Sequence, residues 1–344
     1  MWGVRPLRTA CTLVALLLVS AATSGCVGRH ALAIRNTDGL GPAISWFAPK
    51  DARDAGMLDN WRRSVGPPIF TAASGGPPAP SGTLTLVSWN TALGAGDVER
   101  LVADVRRQAA DGPIVLLLQE VYRGGPEVPT VLGRRDAFAS RLSGLRSDGR
   151  RDEVESIASA LGMSAYYVPS MRNGSPLLSD EDRGNAILST LPLSDLTAIE
   201  LPLESQRRVA LQATVTVTAP GGASMPLRVV DTHFTNTVLH HLFILSESGR
   251  LRQARALARV LPADGPLIVG GDFNSWFGYR DAAFKELARV VPPASSDDRR
   301  ATFGPMRLDH VLLKLPDGWR ASVRRAAGRY GSDHYPLVAV IEAK

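Results

Sequence analysis

The sequence predicts an α/β (α+β) fold on mixed β-sheets, and three observations predict it. From Thr83 onward, short apolar runs alternate with stretches of helical periodicity. Midway, Val209, Leu211, Ala213, Val215 and Val217 alternate strictly with polar neighbours, the pattern of a strand with one wet face. Polar residues also punctuate the apolar runs at both ends: Asn90, Glu120, His233 and Asp272 follow such runs, whereas Asp309 and the Asp333–His334 pair precede them. A purely parallel sheet would put these two groups at opposite edges. If all of them converge on one cleft, the late strands run antiparallel to the early ones, which excludes a simple doubly wound fold.

The elements follow in order. Leu84 to Trp89 reads as a strand, and Val98, Leu101, Val102 and Val105 fall at i, i+3, i+4 and i+7 of a helix. Ile114 to Leu118 is a fully apolar strand. Val154, Ile157, Ala158 and Leu161 repeat the helical spacing, as do Leu251, Ala254, Ala258 and Leu261. The alternating strand from Val209 meets Pro220-Gly221-Gly222, which turns the chain towards Leu227 to Val230 as a hairpin. Leu267-Ile268-Val269 ends in Gly270-Gly271-Asp272-Phe273-Asn274, so a buried strand delivers a carboxylate and an amide to its C-terminal rim. Hard oxygen ligands at such a rim suggest metal-assisted chemistry. With the titratable Asp333–His334 pair, they propose hydrolysis.

Before Thr83 the chain changes character. Residues 1–26 read as a targeting segment: Arg5 and Arg8 precede the apolar stretch Cys11 to Val19, and small residues lead to Cys26. This segment resembles a bacterial lipoprotein signal, with Thr23 where leucine is usual. Lipidation of Cys26 would anchor the protein in the cell envelope outside the cytoplasm; cleavage without lipidation would secrete it, and an uncleaved anchor is the third outcome. Cleavage before Cys26 also removes Cys11, so the mature chain holds one cysteine and no internal disulfide. Residues 27–82, rich in proline and glycine, read as a tether and lead-in, although Trp46, Phe47 and Trp61 are expected to pack on the domain. Residues 83–344 form that domain.

Composition narrows the class. A chain of 344 residues that is 44% hydrophobic and 21% charged is neither disordered nor polytopic, and it suits one large domain, expected to be monomeric. The net charge of +6 would suit a polyanion such as nucleic acid or anionic lipid. Yet Lys50, Lys285, Lys314 and Lys344 are the only lysines, and an arginine bias beside abundant alanine, glycine and proline more simply reflects a G+C-rich genome.

Ser88-Trp89-Asn90, Gln119-Glu120, Gly184-Asn185-Ala186-Ile187-Leu188-Ser189, Asp231-Thr232-His233, Gly271-Asp272-Phe273-Asn274, Leu308-Asp309-His310 and Ser332-Asp333-His334 resemble, in order, the motifs of the endonuclease/exonuclease/phosphatase superfamily. The resemblance covers about residues 83 to 342 and implies a four-layer α/β/β/α sandwich of the deoxyribonuclease I type. It implies Glu120 and Asn90 as ligands of Mg²⁺ or Mn²⁺, with Asp333 binding a second ion or positioning the first. Asp272 would orient or deprotonate water, and His334, held by Asp309, would bind or protonate the phosphate. His233, Asn274 and Asn236 would contact the phosphate oxygens. Each position has a plainer reading too: a buried salt bridge for Glu120, a strand-end turn for Asn90, and a tight turn or a cap for the helix near residue 281 for Asp272 and Asn274. His240, His241 and His310 read as surface or packing residues. Arg183 is either a phosphate clamp or one more arginine of an arginine-rich chain.

These residues imply a metal-dependent hydrolase of phosphoric esters. The leading substrate is nucleic acid, with a phospholipid or sugar-phosphate phosphodiesterase and a phosphomonoesterase as alternatives; a catalytically silent surface adhesin is the reading from another class. Arg134-Arg135, Arg150-Arg151, Arg207-Arg208 and Arg299-Arg300 would follow a phosphate backbone, although no interleaved aromatics make a stacking track.

Overall fold

A computed structural model of the chain describes residues 27–33, 42–76, 78–108, 112–129, 151–173, 180–204, 206–219, 222–236, 238–239, 244–245 and 247–343. Cys26 and the targeting segment, His240 and His241, and Arg134, Arg135 and Arg150 lie outside the described residues. The first half of the chain supplies β1 (Val27–Ala33), β2 (Ala43–Pro49), α1 (Ala52–Arg63), β3 (Ile69–Thr71), β4 (Thr83–Asn90), α2 (Val98–Gln108), β5 (Ile114–Gly124), α3 (Val154–Leu161) and β6 (Ser164–Asn173). The second half adds β7 (Glu181–Ser189), β8 (Ser194–Glu200), β9 (Val209–Thr218), β10 (Ser224–His233), the short pair β11 (Val238–Leu239) and β12 (Ile244–Leu245), and α4 (Ser248–Val260). It closes with β13 (Leu267–Asp272), α5 (Ala282–Ala288), β14 (Ser296–Asp297), β15 (Asp309–Lys314), β16 (Trp319–Arg325) and β17 (Leu337–Ala343).

Two mixed sheets stack face to face. One runs β1-β2-β8-β9-β10-β13-β15 and the other β14-β16-β17-β4-β5-β7-β6-β3. β4 is parallel to β5 and β10 to β13, while β15 is antiparallel to β13 and β17 to β4. That reversal brings the late polar residues to the edge where the early strands end. Leu86, Leu117 and Ile187 from one sheet meet Leu211, Val229, Ile268 and Val311 from the other in the central core. α2 and α3 cover the outer face of the eight-stranded sheet, over Val87, Leu116, Leu118 and Leu188. α4 and α5 cover the other sheet over Val230, Val269 and Leu312, which completes the α/β/β/α order. Burial of each such side chain contributes about 1.5–3 kcal/mol, so register is strongly fixed. A slip of one residue would turn the strand-end polar groups out of the cleft.

Two regions refine the sequence reading, and in the first Trp46 and Trp61 pack on the domain as expected. Within the segment read as tether and lead-in, β2 pairs in parallel with β8, β3 pairs with β6, and Trp46 and Trp61 are buried. The packed domain therefore begins well before Thr83. On α4 the buried stripe is Arg250, Gln253, Ala254 and Leu257, whereas Leu251 and Ala258 sit half-buried. The two polar members are buried because they are paired: Arg250 with Asp281 at 2.9 Å, and Gln253 with Thr235 N at 2.8 Å and Pro202 O at 3.0 Å.

Candidate active site

The cleft is built by strand alternation. Ile268, Gly270 and Asp272 share a face of β13, Val229, Asp231 and His233 a face of β10, and Leu86, Ser88 and Asn90 a face of β4. Their apolar members lie in the inter-sheet core, so their last members point into the gap at the sandwich edge. The two glycines before Asp272 have separate tasks. A Cβ on Gly270 would meet Leu117 Cδ1 at 2.8 Å on the facing sheet; one on Gly271, at φ +147°, would strike Thr232 O of β10 at 1.8 Å. Only glycine allows the strand to arrive at this depth.

Asp272 is the hub. Its Oδ1 accepts from Asn274 N at 2.8 Å and its Oδ2 from Asn90 Nδ2 at 3.1 Å. The Nε2 atoms of His233 and His334 lie 3.4 and 3.9 Å from the same Oδ2. Asn274 adopts a left-handed φ of 48°, which lets its backbone fold back on Asp272 while its Nδ2 donates to Phe234 O at 2.9 Å. These contacts are not helix capping: the N-cap of α5 is Asp281. His334 Nδ1 stands 2.9 Å from Asp309 Oδ2, its backbone N donates to Ser332 Oγ at 3.0 Å, and Phe303 covers its ring at 4.8 Å between centroids.

The surroundings push the two histidines in opposite directions. Burial opposes charge on His334, yet Asp309, then Asp272 and Asp333, carry its pKa up to about 10. His233 is pushed well below the usual imidazole value by burial, then by Arg208 and Arg183 and by His334. Burial, with the Asp309 charge behind it, lifts Asp272 to about 6 against the pull of His334 and its two hydrogen-bond donors.

Glu120 sits at the rim on a β-bulge between Gln119 and Val121, with φ +55°. The extra residue takes it out of the apolar alternation, since Val121 resumes the outer face with Leu116 and Leu118. The carboxylate is half-buried, and among the described residues it has neither a hydrogen bond nor an ion pair, although its charge acts on Arg208. A carboxylate left unpaired on strained backbone beside the Asn90 amide fits a divalent cation better than a structural salt bridge. Asp272, Asp309 and His334 also bring ligand atoms within 4.8 Å of one another; the hydrogen bond between the last two uses His334 Nδ1 and Asp309 Oδ2 and leaves Asp309 Oδ1 without a hydrogen bond among the described residues. Asp333 is exposed beside the site, and Asn236 is exposed two residues beyond Phe234.

The sequence profile of the endonuclease/exonuclease/phosphatase family matches residues 87–334. The chain belongs to this family. The fold is similar to that of an endonuclease/exonuclease/phosphatase from Beutenbergia cavernae, with 18% identity, a TM-score of 0.51, and 76% of this chain and 72% of that one covered. A family protein from Leptotrichia buccalis is similar at 13% identity and a TM-score of 0.50, over 75% of this chain and 99% of that one. Among curated sequences, a UPF0294 protein of Vibrio parahaemolyticus is 31% identical over 117 residues, which is 33% of this chain and 38% of that protein. The chain thus spans well under half of that relative's length.

Arg208 lies outside the family motifs, and Gln119, Asp231, Trp89 and Ser332 lie within them but were given no role. Arg208 Nη1 lies 3.0 Å from His233 Nδ1. Behind the cleft, Gln119 Nε2 crosses between the sheets to Asp231 Oδ1 at 2.6 Å. Trp89 Nε1 holds His334 O at 3.0 Å, and Ser332 Oγ donates to Asn90 O at 2.7 Å. Most described arginines read as a phosphate track have other engagements. Arg151 binds Glu181 and lies over Tyr122, Arg207 pairs with Glu200, and Arg300 pairs with Asp298. His310 packs among Phe273, Tyr279 and Phe284 and bonds to Ser275 Oγ at 2.7 Å.

Proposed function

We propose that this family member is a Mg²⁺- or Mn²⁺-dependent phosphodiesterase that acts on nucleic acid outside the cytoplasm. The observation that carries the reading is Asp272 standing 3.4 and 3.9 Å from two buried imidazoles whose pKa values are pushed in opposite directions. Asp272, whose pKa of about 6 suits proton transfer near neutrality, orients the attacking water and takes its proton. Cationic His334, fixed by Asp309, donates from Nε2 to the phosphoryl group. His233, Asn236 and the second Nδ2 hydrogen of Asn274 donate to its other oxygens. Glu120 and Asn90 hold the ion, with Asp333 nearby. When bound, a divalent ion polarises a phosphoryl oxygen and offsets charge that grows in the transition state.

Nucleic acid is favoured over a choline lipid because Arg183 and Arg208 are buried on the His233 flank, where a quaternary ammonium group would be repelled. The half-exposed ring of Phe277, 50% accessible three residues beyond Asn274, supports a phospholipid ester as the second reading. A sugar-phosphate ester and a phosphomonoester remain the other outcomes. Lipidation at Cys26, or secretion, would keep the enzyme away from the chromosome. Among the described residues no helix is long and apolar enough to cross a membrane.

The test is a substrate panel with the full chain and either metal: bis(p-nitrophenyl) phosphate, plasmid and single-stranded DNA, RNA, sphingomyelin, phosphatidylinositol phosphates and p-nitrophenyl phosphate. Metal-dependent cleavage of the diester and of nucleic acid, weakened by salt, is expected. Turnover of the monoester alone would replace the diesterase with a phosphatase, and no turnover of any ester would leave the adhesin reading.

A further inference from the structure

Arg207 and Arg208 are neighbours in sequence and both are buried, yet they do different things. Arg207 is a structural cation: it pairs with Glu200 at 2.5 Å and caps the carbonyls of Pro169 and Ser170 at 2.8 and 3.1 Å. Arg208, 4% accessible, forms no ion pair with a described carboxylate. It donates from Nη2 to Gln206 Oε1 at 3.1 Å, its Nε has no partner among the described residues, and its Nη1 is aimed at His233 Nδ1 at 3.0 Å. Burying a guanidinium without a directly paired carboxylate is costly, although the Glu120 and Asp272 charges favour it from farther off, and a methionine would fill the same space. Its direct contact with the candidate active site is with His233.

A guanidinium has donors and no acceptor, so His233 Nδ1 must accept. Its one remaining proton then sits on Nε2, the atom 3.4 Å from Asp272 Oδ2. We propose that Arg208 is a positioning residue that locks His233 as the neutral Nε2–H tautomer, so that His233 meets the phosphate as a fixed hydrogen-bond donor and never as a proton-releasing acid. The work of an acid then falls to His334, whose Nδ1 faces a carboxylate instead of a guanidinium. The assignment of a phosphate partner rests on the phosphodiesterase reading, but the tautomer does not.

The closing experiment separates the two. Nitrogen-15 NMR of the imidazoles in the full chain, with His233 assigned by its loss in His233→Asn, is expected to show Nε2 protonated and Nδ1 bare. Arg208→Met is expected to mix the tautomers and lower kcat on bis(p-nitrophenyl) phosphate by roughly 10–100-fold with KM little changed. Guanidinium ion should restore part of the loss, as should Arg208→Lys, which keeps a donor. A protonated Nδ1 in the wild-type protein would overturn the proposal, as would Arg208→Met with an unaltered tautomer or undiminished kcat. Should Arg208→Met fail to fold, the wild-type spectrum and Arg208→Lys still decide. If the wild-type chain shows the Nε2–H tautomer but hydrolyses no phosphodiester, the functional reading fails while the lock stands.

Discussion

On the rim carried by the seven-stranded sheet, His233, Asp272 and Asp309 are buried and bonded to their neighbours; on the rim of the eight-stranded sheet, Glu120 is half-buried and Asp333 exposed, and neither has an ion pair among the described residues. The first rim is largely bonded within the protein, with Asp309 Oδ1 left without a partner among the described residues. The second leaves carboxylates without cations. This difference suggests a division of labour, with proton and phosphate handling on the closed rim and metal recruitment on the open one, and Asn90 and His334 reaching across. The sharpest way to break the comparison is to disable the closed rim. Asp272→Asn or His334→Ala should lower kcat on bis(p-nitrophenyl) phosphate by about 10²–10⁴-fold while metal affinity, read by titration calorimetry, stays nearly constant. Loss of metal binding in either variant would merge the two rims into one site.

The closed rim also makes a pH prediction for the metal-free protein. The folded pKa of His334, about 10, lies above its ordinary 6.5, so its contribution is fully present below pH 6.5 and is lost as pH rises through 10. Asp272, lifted from 3.8 to about 6, acts in the same direction: its favourable protonated state is given up between those values. Urea-unfolding stability in chelator should therefore fall on both limbs. Asp309→Asn should flatten the alkaline limb and Glu120→Gln should leave it unchanged. A stability that rises between pH 7 and 10 would show that His334 is not held as a cation.

A smaller effect is expected on the open rim. Glu120→Gln should weaken Mg²⁺ or Mn²⁺ binding by at least about tenfold, and saturating metal should recover most of kcat. A variant that never recovers would place Glu120 with the reacting groups.

Much of this was legible in the sequence where a residue obeys its element's period. Val98, Leu101, Val102 and Val105 are all buried on α2, and Asp272 ends an inward-facing run as alternation requires. The motifs also gave the edge at which strands of opposite direction meet. What periodicity hides is the exception made by pairing or by a bulge. Arg250 and Gln253 look like surface positions of α4 and are buried because Asp281 and Thr235 receive them. Glu120 is visible as a charge closing an apolar strand, but the left-handed turn that places it is a backbone property no side-chain pattern encodes. Arg207 and Arg208 are indistinguishable as letters, since only the contacts Glu200 and His233 tell them apart.

The smallest effect belongs to Asp333. It is exposed, its nearest hydrogen-bonding contact is Ser332 Oγ at 3.5 Å, and its charge is one of three that favour the His334 cation. A carboxylate in water at this position acts through a high dielectric, so Asp333→Asn should weaken metal binding and kcat by only about two- to fivefold, and the deficit should shrink further in high salt. A loss as large as that of Glu120→Gln would mean that Asp333 coordinates the ion directly. The open rim would then be as organised as the closed one once metal is bound, and the contrast between them would describe the metal-free protein alone.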